Sequence, residues 1–363
     1  VTDLLNLVYH ERLVRHEPGV ANLRTDADLR AAILLTLVEQ MPQQELDEAT
    51  HTAFLERLQE LGADGDGAVG FMNRVMSIPA AAAMFLAFKH WDVGSPVYVV
   101  GPRLQSMFTR TKLDSARQED FRLPYSTVYL ALPECELTVW GGSARHRLIG
   151  AFVHRSSFQV LADDGSSSEG LYIILAGEDH SPPGEFGDDA LRTMPIRLDL
   201  PIEGQIGRKS FYDASHPDDD DRQLDREAMS LAVRIIINAL LYITTGLPSE
   251  ETAESKKRLA KRQKLLRRTG KKAKKAHSIA GKLSPVSVVW LGRSVEQTAH
   301  QGGTHESPRQ HWVTGHWHTY LYGPGRTERR LKWVQPFLRG DPQRGEVQTR
   351  VHHMEETDAS DDS

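Results

Sequence analysis

"HWVTGHWHTYLYGPGRTERRLKWVQP" spans residues 311–336 and holds three histidines, three tryptophans and two tyrosines. Side chains alternate between faces along a strand. Taken as one strand, 311–322 sends Val313, Gly315, Trp317, Thr319 and Leu321 to one side. Trp312, Thr314, His316, His318, Tyr320 and Tyr322 go to the other. "GPG" (323–325) is a turn, because proline fixes φ and glycine accepts positive φ. In the return segment 329–334, Leu331 and Trp333 share a face, and Arg330 and Lys332 share the opposite one. The simplest pairing buries Trp317, Leu321, Leu331 and Trp333 together. The other face then gathers His316, His318, Tyr320, Tyr322, Arg330 and Lys332, with Trp312 at its start.

Four readings of that face stay open on the residues alone. Tyrosine and histidine often sit half-buried with one hydrogen bond, as structural residues. The rings could instead stack on unpaired bases while Arg330 and Lys332 hold phosphates, a nucleic-acid platform. A metal-free ribonuclease would use His316 or His318 as acid or base, with an ordinary histidine pKa near about 6.5. Tyr320 and Arg330 would complete that candidate catalytic set, the cation stabilising charge on phosphorus. A zinc site on His316 and His318 lacks a third ligand that the sequence can name, so no metal is expected.

The remaining composition is that of an ordinary globular protein: 363 residues, 39% hydrophobic, 26% charged, net charge −5. Its single cysteine, Cys135, excludes an internal disulfide framework and any cysteine-rich zinc module, which suits a reducing cytoplasm. The N-terminal residues carry charges among their apolar positions and do not read as a signal peptide. The longest apolar stretch, 231–243, is interrupted by Arg234 and Asn238 and is short for a bilayer. No membrane partner and no cofactor are expected. A soluble, intracellular protein is expected.

The chain reads as α+β. Segments 2–16, 26–40 and 47–61 each begin with Thr or Asp, which can cap a helix, and 79–91 starts on a proline suited to a first turn. From Val97 onward, 126–133, 136–142, 146–154, 171–177 and 194–201 are short, β-branched and separated by turn residues, a mostly antiparallel sheet. The acidic run 216–222 leads into a helix, 222–246, marked by Leu224, Leu231, Ile235 and Tyr242, apolar enough to be central and buried. Gly246 and Pro248 end it. A strand at 286–292 and the 311–336 hairpin follow. The expected organisation is a helical region 1–95, an α+β domain 96–350 and an acidic, disordered tail 351–363.

Residues 256–275 contain twelve Lys or Arg and no acid. Such a run repels itself unless it is solvated or faces a polyanion. A solvated helix or disordered connector is the plain reading. Contact with RNA phosphates is the functional one, through Lys256, Lys257, Arg258, Lys261, Arg262, Lys264, Arg267, Arg268, Lys271 and Lys272. Leu259, Leu265 and Leu266 are too thin a stripe for a membrane surface. "GDGAVG" (65–70) matches G-x-G-x-x-G, but a helical segment precedes it where a dinucleotide site needs a strand.

His311, "GHWH" (315–318), Tyr320, the "GPG" turn and "RLKWVQP" (330–336) together resemble the C-terminal signature of a phage and mobile-element family. One branch of that family is an anti-CRISPR that silences the type V-A effector nuclease during its synthesis. "FRLPYSTVYLALPECELTVWGG" (121–142) and "IINALLYITTGLP" (236–248) resemble its central strand pair and apolar helix. The resemblance implies a protein of the bacterial host's cytoplasm that meets RNA or the translating ribosome, and the nascent polypeptide of its target. Loss of a specific message would follow, through a recruited host nuclease or through intrinsic cleavage. A structural phage accessory protein remains the alternative in which the aromatic block is core.

Overall fold

Apolar segments far apart in the chain converge on one mixed sheet in the computed structural model, which describes residues 4–16, 78–141, 144–161, 167–178, 191–206, 219–281, 283–293 and 311–339. The expected helices at 26–40 and 47–61, the 65–70 loop and the acidic tail lie outside the described residues.

A 3-10 turn at Leu4–Leu7 leads into α1 (Tyr9–His16). Helix α2 (Ile78–Asp92) is alanine-rich and carries Pro79 in its first turn, where the missing N–H costs nothing. Gly94, at φ 63°, ends it. Strand β1 (Val97–Val100) is buried throughout, and α3 (Pro102–Thr109) follows directly, then the short β2 (Thr111–Lys112). The antiparallel block comprises β3 (Thr127–Ala131), β4 (Thr138–Gly141), β5 (Ala144–Leu161), β6 (Ser167–Glu178) and β7 (Leu191–Arg197). Next come α4 (Ile202–Ile206), the long α5 (Asp219–Thr244), β8 (Ser249–Glu251), α6 (Ala253–Leu266) and α7 (Ala273–Gly281). Strands β9 (Val288–Leu291), β10 (His311–Val313), β11 (Gly315–Tyr322), β12 (Glu328–Val334) and β13 (Phe337–Arg339) complete the described chain.

The sheet runs β7-β6-β5-β3-β1-β9-β8, with β4 also on β5. Most pairs are antiparallel, as the turn-rich middle of the sequence predicts. The centre differs: β1 is parallel to both β3 and β9. Parallel neighbours need long connections, so no local turn announces them. Their strands lie between covered faces, which is why "VYVV" is an unbroken apolar run rather than an alternation.

One face of the sheet is covered by α3, α5 and the β11–β12 hairpin, forming a cluster that includes Phe108, Leu130, Ile236, Leu240, Trp317 and Trp333. The other face takes α1 and α2, with Tyr9, Leu13, Phe88, Tyr129 and Phe152. The described parts of the N-terminal region therefore share a core with the sheet. Residues Asp225–Thr244 of α5 are long and apolar enough to cross a membrane, yet most of that surface is buried inside the fold. Its two interrupting polar residues are both engaged: Arg234 pairs with Glu203, and Asn238 bonds three backbone carbonyls.

Candidate functional site

The aromatic segment divides at Thr314. β10 pairs with β13, while β11 pairs with β12 on one side and with β2 on the other. The single strand expected over 311–322 is thus two strands in two ladders. Gly315 sits at the break for a packing reason. A Cβ there would lie 2.7 Å from both Pro336 Cδ and Thr111 Oγ1, closer than any side chain tolerates. Its N–H donates to the Arg110 carbonyl (2.9 Å), which fixes β11 beside β2.

Trp317 and Trp333 are in register across the hairpin, with rings stacked at a centroid distance of 6.3 Å. Both are buried. The Trp317 indole N–H donates to Asn238 Oδ1 (2.7 Å), and Trp333 donates to Thr111 Oγ1 (3.3 Å). Asn238 in turn donates to the carbonyls of Phe108 (3.1 Å) and Thr111 (3.3 Å). Phe108 and Tyr242 close the pocket around Trp333, at 5.2 and 5.7 Å between ring centroids. These two tryptophans and Leu331 are core. Leu321 is not: it is 58% exposed. It stands opposite Arg329, whose guanidinium turns to Asp120 (2.5 Å) and the Ser115 carbonyl (2.7 Å). The hairpin tip projects beyond the apolar floor, so the face that is core at Trp317 is solvent-exposed at Leu321. Gly323 (φ 79°) and Gly325 (φ 68°) make the turn at that tip.

The opposite face is exposed and gathered as the alternation predicts. His316, His318, Tyr320 and Tyr322 face solvent, opposite Val334, Lys332, Arg330 and Glu328 respectively. The His318 and Tyr320 rings lie 4.4 Å apart, the two histidines 6.4 Å apart, and Lys332 Nζ is 5.8 Å from the Tyr320 ring centre. Trp312 pairs by backbone with Leu338, in the other ladder, and its side chain lies outside the described residues. Lys112 is an addition that sequence could not supply. It is exposed, in register with His316 on the parallel β2, and so extends the same face with another cation. Among the described residues no group of three His, Cys, Asp or Glu side chains could hold a metal ion. Neither His316 nor His318 makes a hydrogen bond among the described residues that would fix its tautomer, as acid–base catalysis uses.

The basic segment is a folded helical hairpin, not a connector. Thr252 caps α6 by accepting the Ser255 N–H (3.1 Å). Ser255 accepts from the Val288 N–H (2.9 Å), and Arg258 donates to the Val286 carbonyl, so the base of α6 is tied to β9. Arg258 and Arg262 are half-buried; Lys256, Lys257, Lys261, Lys264, Arg267, Arg268, Lys271 and Lys272 are exposed. His277 on α7 reaches back to the Leu266 and Arg268 carbonyls, both at 3.1 Å, and holds the two helices together at the turn.

The sequence profile of the AcrVA2-like family, anti-CRISPR type V subtype A2, matches residues 98–339. The chain belongs to the anti-CRISPR type V subtype A2 family. The matched stretch of this family runs from β1 to β13 and encloses both the exposed hairpin face and the basic helical hairpin. Among solved structures, the crystal structure of AcrVA2 is similar at 12% identity and a TM-score of 0.42, over 91% of this chain and 98% of that one. Comparison with curated proteins gives no match.

Proposed function

We propose that this protein lowers production of a type V-A CRISPR nuclease by engaging the nascent chain or its message during translation, in the cytoplasm of a bacterial host. Membership of the anti-CRISPR type V subtype A2 family carries the reading. Two exposed surfaces support an RNA or ribosome contact: the face of Lys112, His316, His318, Tyr320, Arg330 and Lys332, and the basic α6–α7 hairpin. Stacking rings beside cations suit unpaired bases and phosphates. Recruitment of a host nuclease is favoured over intrinsic cleavage. His316, His318, Tyr320 and Arg330 share a face, but neither histidine has a hydrogen-bond partner among the described residues.

The test is a reporter pair in bacteria: the nuclease reading frame intact, and the same message with an early stop codon. Loss of the intact message alone, with reduced nuclease protein, is expected. Unchanged message and protein, with the finished nuclease inhibited instead, would overturn the reading.

A further inference from the structure

The α6–α7 hairpin has features that a merely solvated helix pair does not need. Its base is tied to β9, Thr252 caps its start and His277 braces its turn, so the helices that carry its lysines are built into the fold. Lys257, Lys261 and Lys264 recur at helical spacing and line one face of α6. Lys271, Lys272, Lys274 and Lys275 crowd the turn and the first residues of α7. That end of a helix carries partial positive charge and prefers acids, so four lysines there are placed against the helix dipole. Among the described residues, none of these seven forms an ion pair. An arrangement that opposes its own helix, on helices nevertheless tied to the sheet, is suited to a polyanion.

The chemistry of the surface narrows the ligand. Residues 253–281 contain no Phe, Trp or Tyr, and the one imidazole, His277, is occupied by backbone carbonyls. The hairpin thus offers no free aromatic ring as a platform for unpaired bases, the usual hold on a single strand, and only the exposed Arg267 and Arg268 could stack there. Two separate groups of exposed lysines, one along α6 and one at the start of α7, suit two ridges of phosphate. Paired RNA presents such ridges and is bound by shape and phosphate contact, not by base edges. Resting on the RNA contact proposed above, we propose that the α6–α7 hairpin is a sequence-blind grip on double-helical RNA. The aromatic β11–β12 face is left for other contacts.

The test uses the full chain and fluorescence anisotropy with five probes: two RNA duplexes of unrelated sequence, one strand alone, a DNA duplex, and vesicles of anionic phospholipid. The wild type is compared with Lys257→Gln/Lys261→Gln/Lys264→Gln and with a Tyr320→Ala variant. The expected result is equal binding of both RNA duplexes, weaker binding of the single strand, and at least a tenfold loss in the triple variant. The slope of log affinity against log salt should fall by about 2 to 3 in that variant, about one for each phosphate contact removed. Preference for the single strand, for DNA or for vesicles overturns the inference, as does an unchanged salt slope. Single-strand binding that is lost only in Tyr320→Ala would leave the RNA contact standing and remove this hairpin's part in it. If no RNA probe binds, both fail.

Discussion

Trp317 donates its indole hydrogen to Asn238, and through that 2.7 Å bond the C-terminal hairpin is locked to the central helix. Asn238 spends its amide on the Phe108 and Thr111 carbonyls at the same time. One side chain thus joins α5, the end of α3 and β11.

Asn238→Ala is expected to cost about 1–3 kcal/mol, because it strands a buried indole N–H and two carbonyls together. Trp317→Phe in the same background should cost less than it does alone, since the N–H it removes has already lost its acceptor. Urea denaturation of the two single variants and the double variant measures this. Strict additivity would show that the bond holds nothing.

Gly315→Ala forces a methyl group to within 2.7 Å of Pro336 and Thr111. Overpacking of this kind costs about 1–3 kcal/mol. A chain whose melting temperature is unchanged by G315A would mean that β11 can move away from β2 freely.

His318→Ala and Tyr320→Ala remove exposed side chains from the hairpin's outer face. Stability should stay within about 0.5 kcal/mol of wild type. Ultraviolet crosslinking to RNA in cells should fall. A large loss of stability would instead make the outer face structural.

His90 is fully buried, and burial pushes its pKa down from 6.5 to about 4, against the opposing hydrogen bond with the Pro96 carbonyl. The unfolded chain takes up this proton near 6.5 and the folded chain does so only near 4. The unfolded state therefore binds more protons between those values, and folding stability falls as pH drops from about 6.5 to about 4. The shift corresponds to about 3 kcal/mol across that window. His154 is moved the same way by burial and adds to the trend. Denaturation midpoints at pH 7, 6, 5 and 4.5 should decline, with a shallower decline in His90→Gln. A flat profile would contradict the buried neutral ring.

The alternation in 311–336 told correctly which side of the hairpin is core and which carries the histidines. It failed at Leu321, because periodicity assigns a face but not where the floor beneath it ends. Pro79 and Gly246 marked helix limits by local chemistry, which sequence shows directly. Arg258 looked identical to its exposed neighbours, since nothing local reveals that the Val286 carbonyl waits beside it. Lys112 was invisible for the same reason: it reaches His316 only through a parallel pairing with a strand some two hundred residues away. Asn238 did leave a signal. An amide inside an apolar helix must find partners, and the aromatic N–H groups of the hairpin supply one.

The parallel centre of the sheet also sets an order of assembly. Val97 lies in register with Tyr129 on one side and Val288 on the other. When the first of those partners has been made, the second is still more than 150 residues from synthesis. Strand β1 must wait with one bare edge, and the seat formed by Phe108, Thr111 and Asn238 must wait longer, until Trp317 and Trp333 arrive. Such distant closures are slow. The molecule matures only when nearly all of its described chain has left the ribosome, and a copy halted before residue 311 would carry an open apolar socket for chaperones or proteases to find.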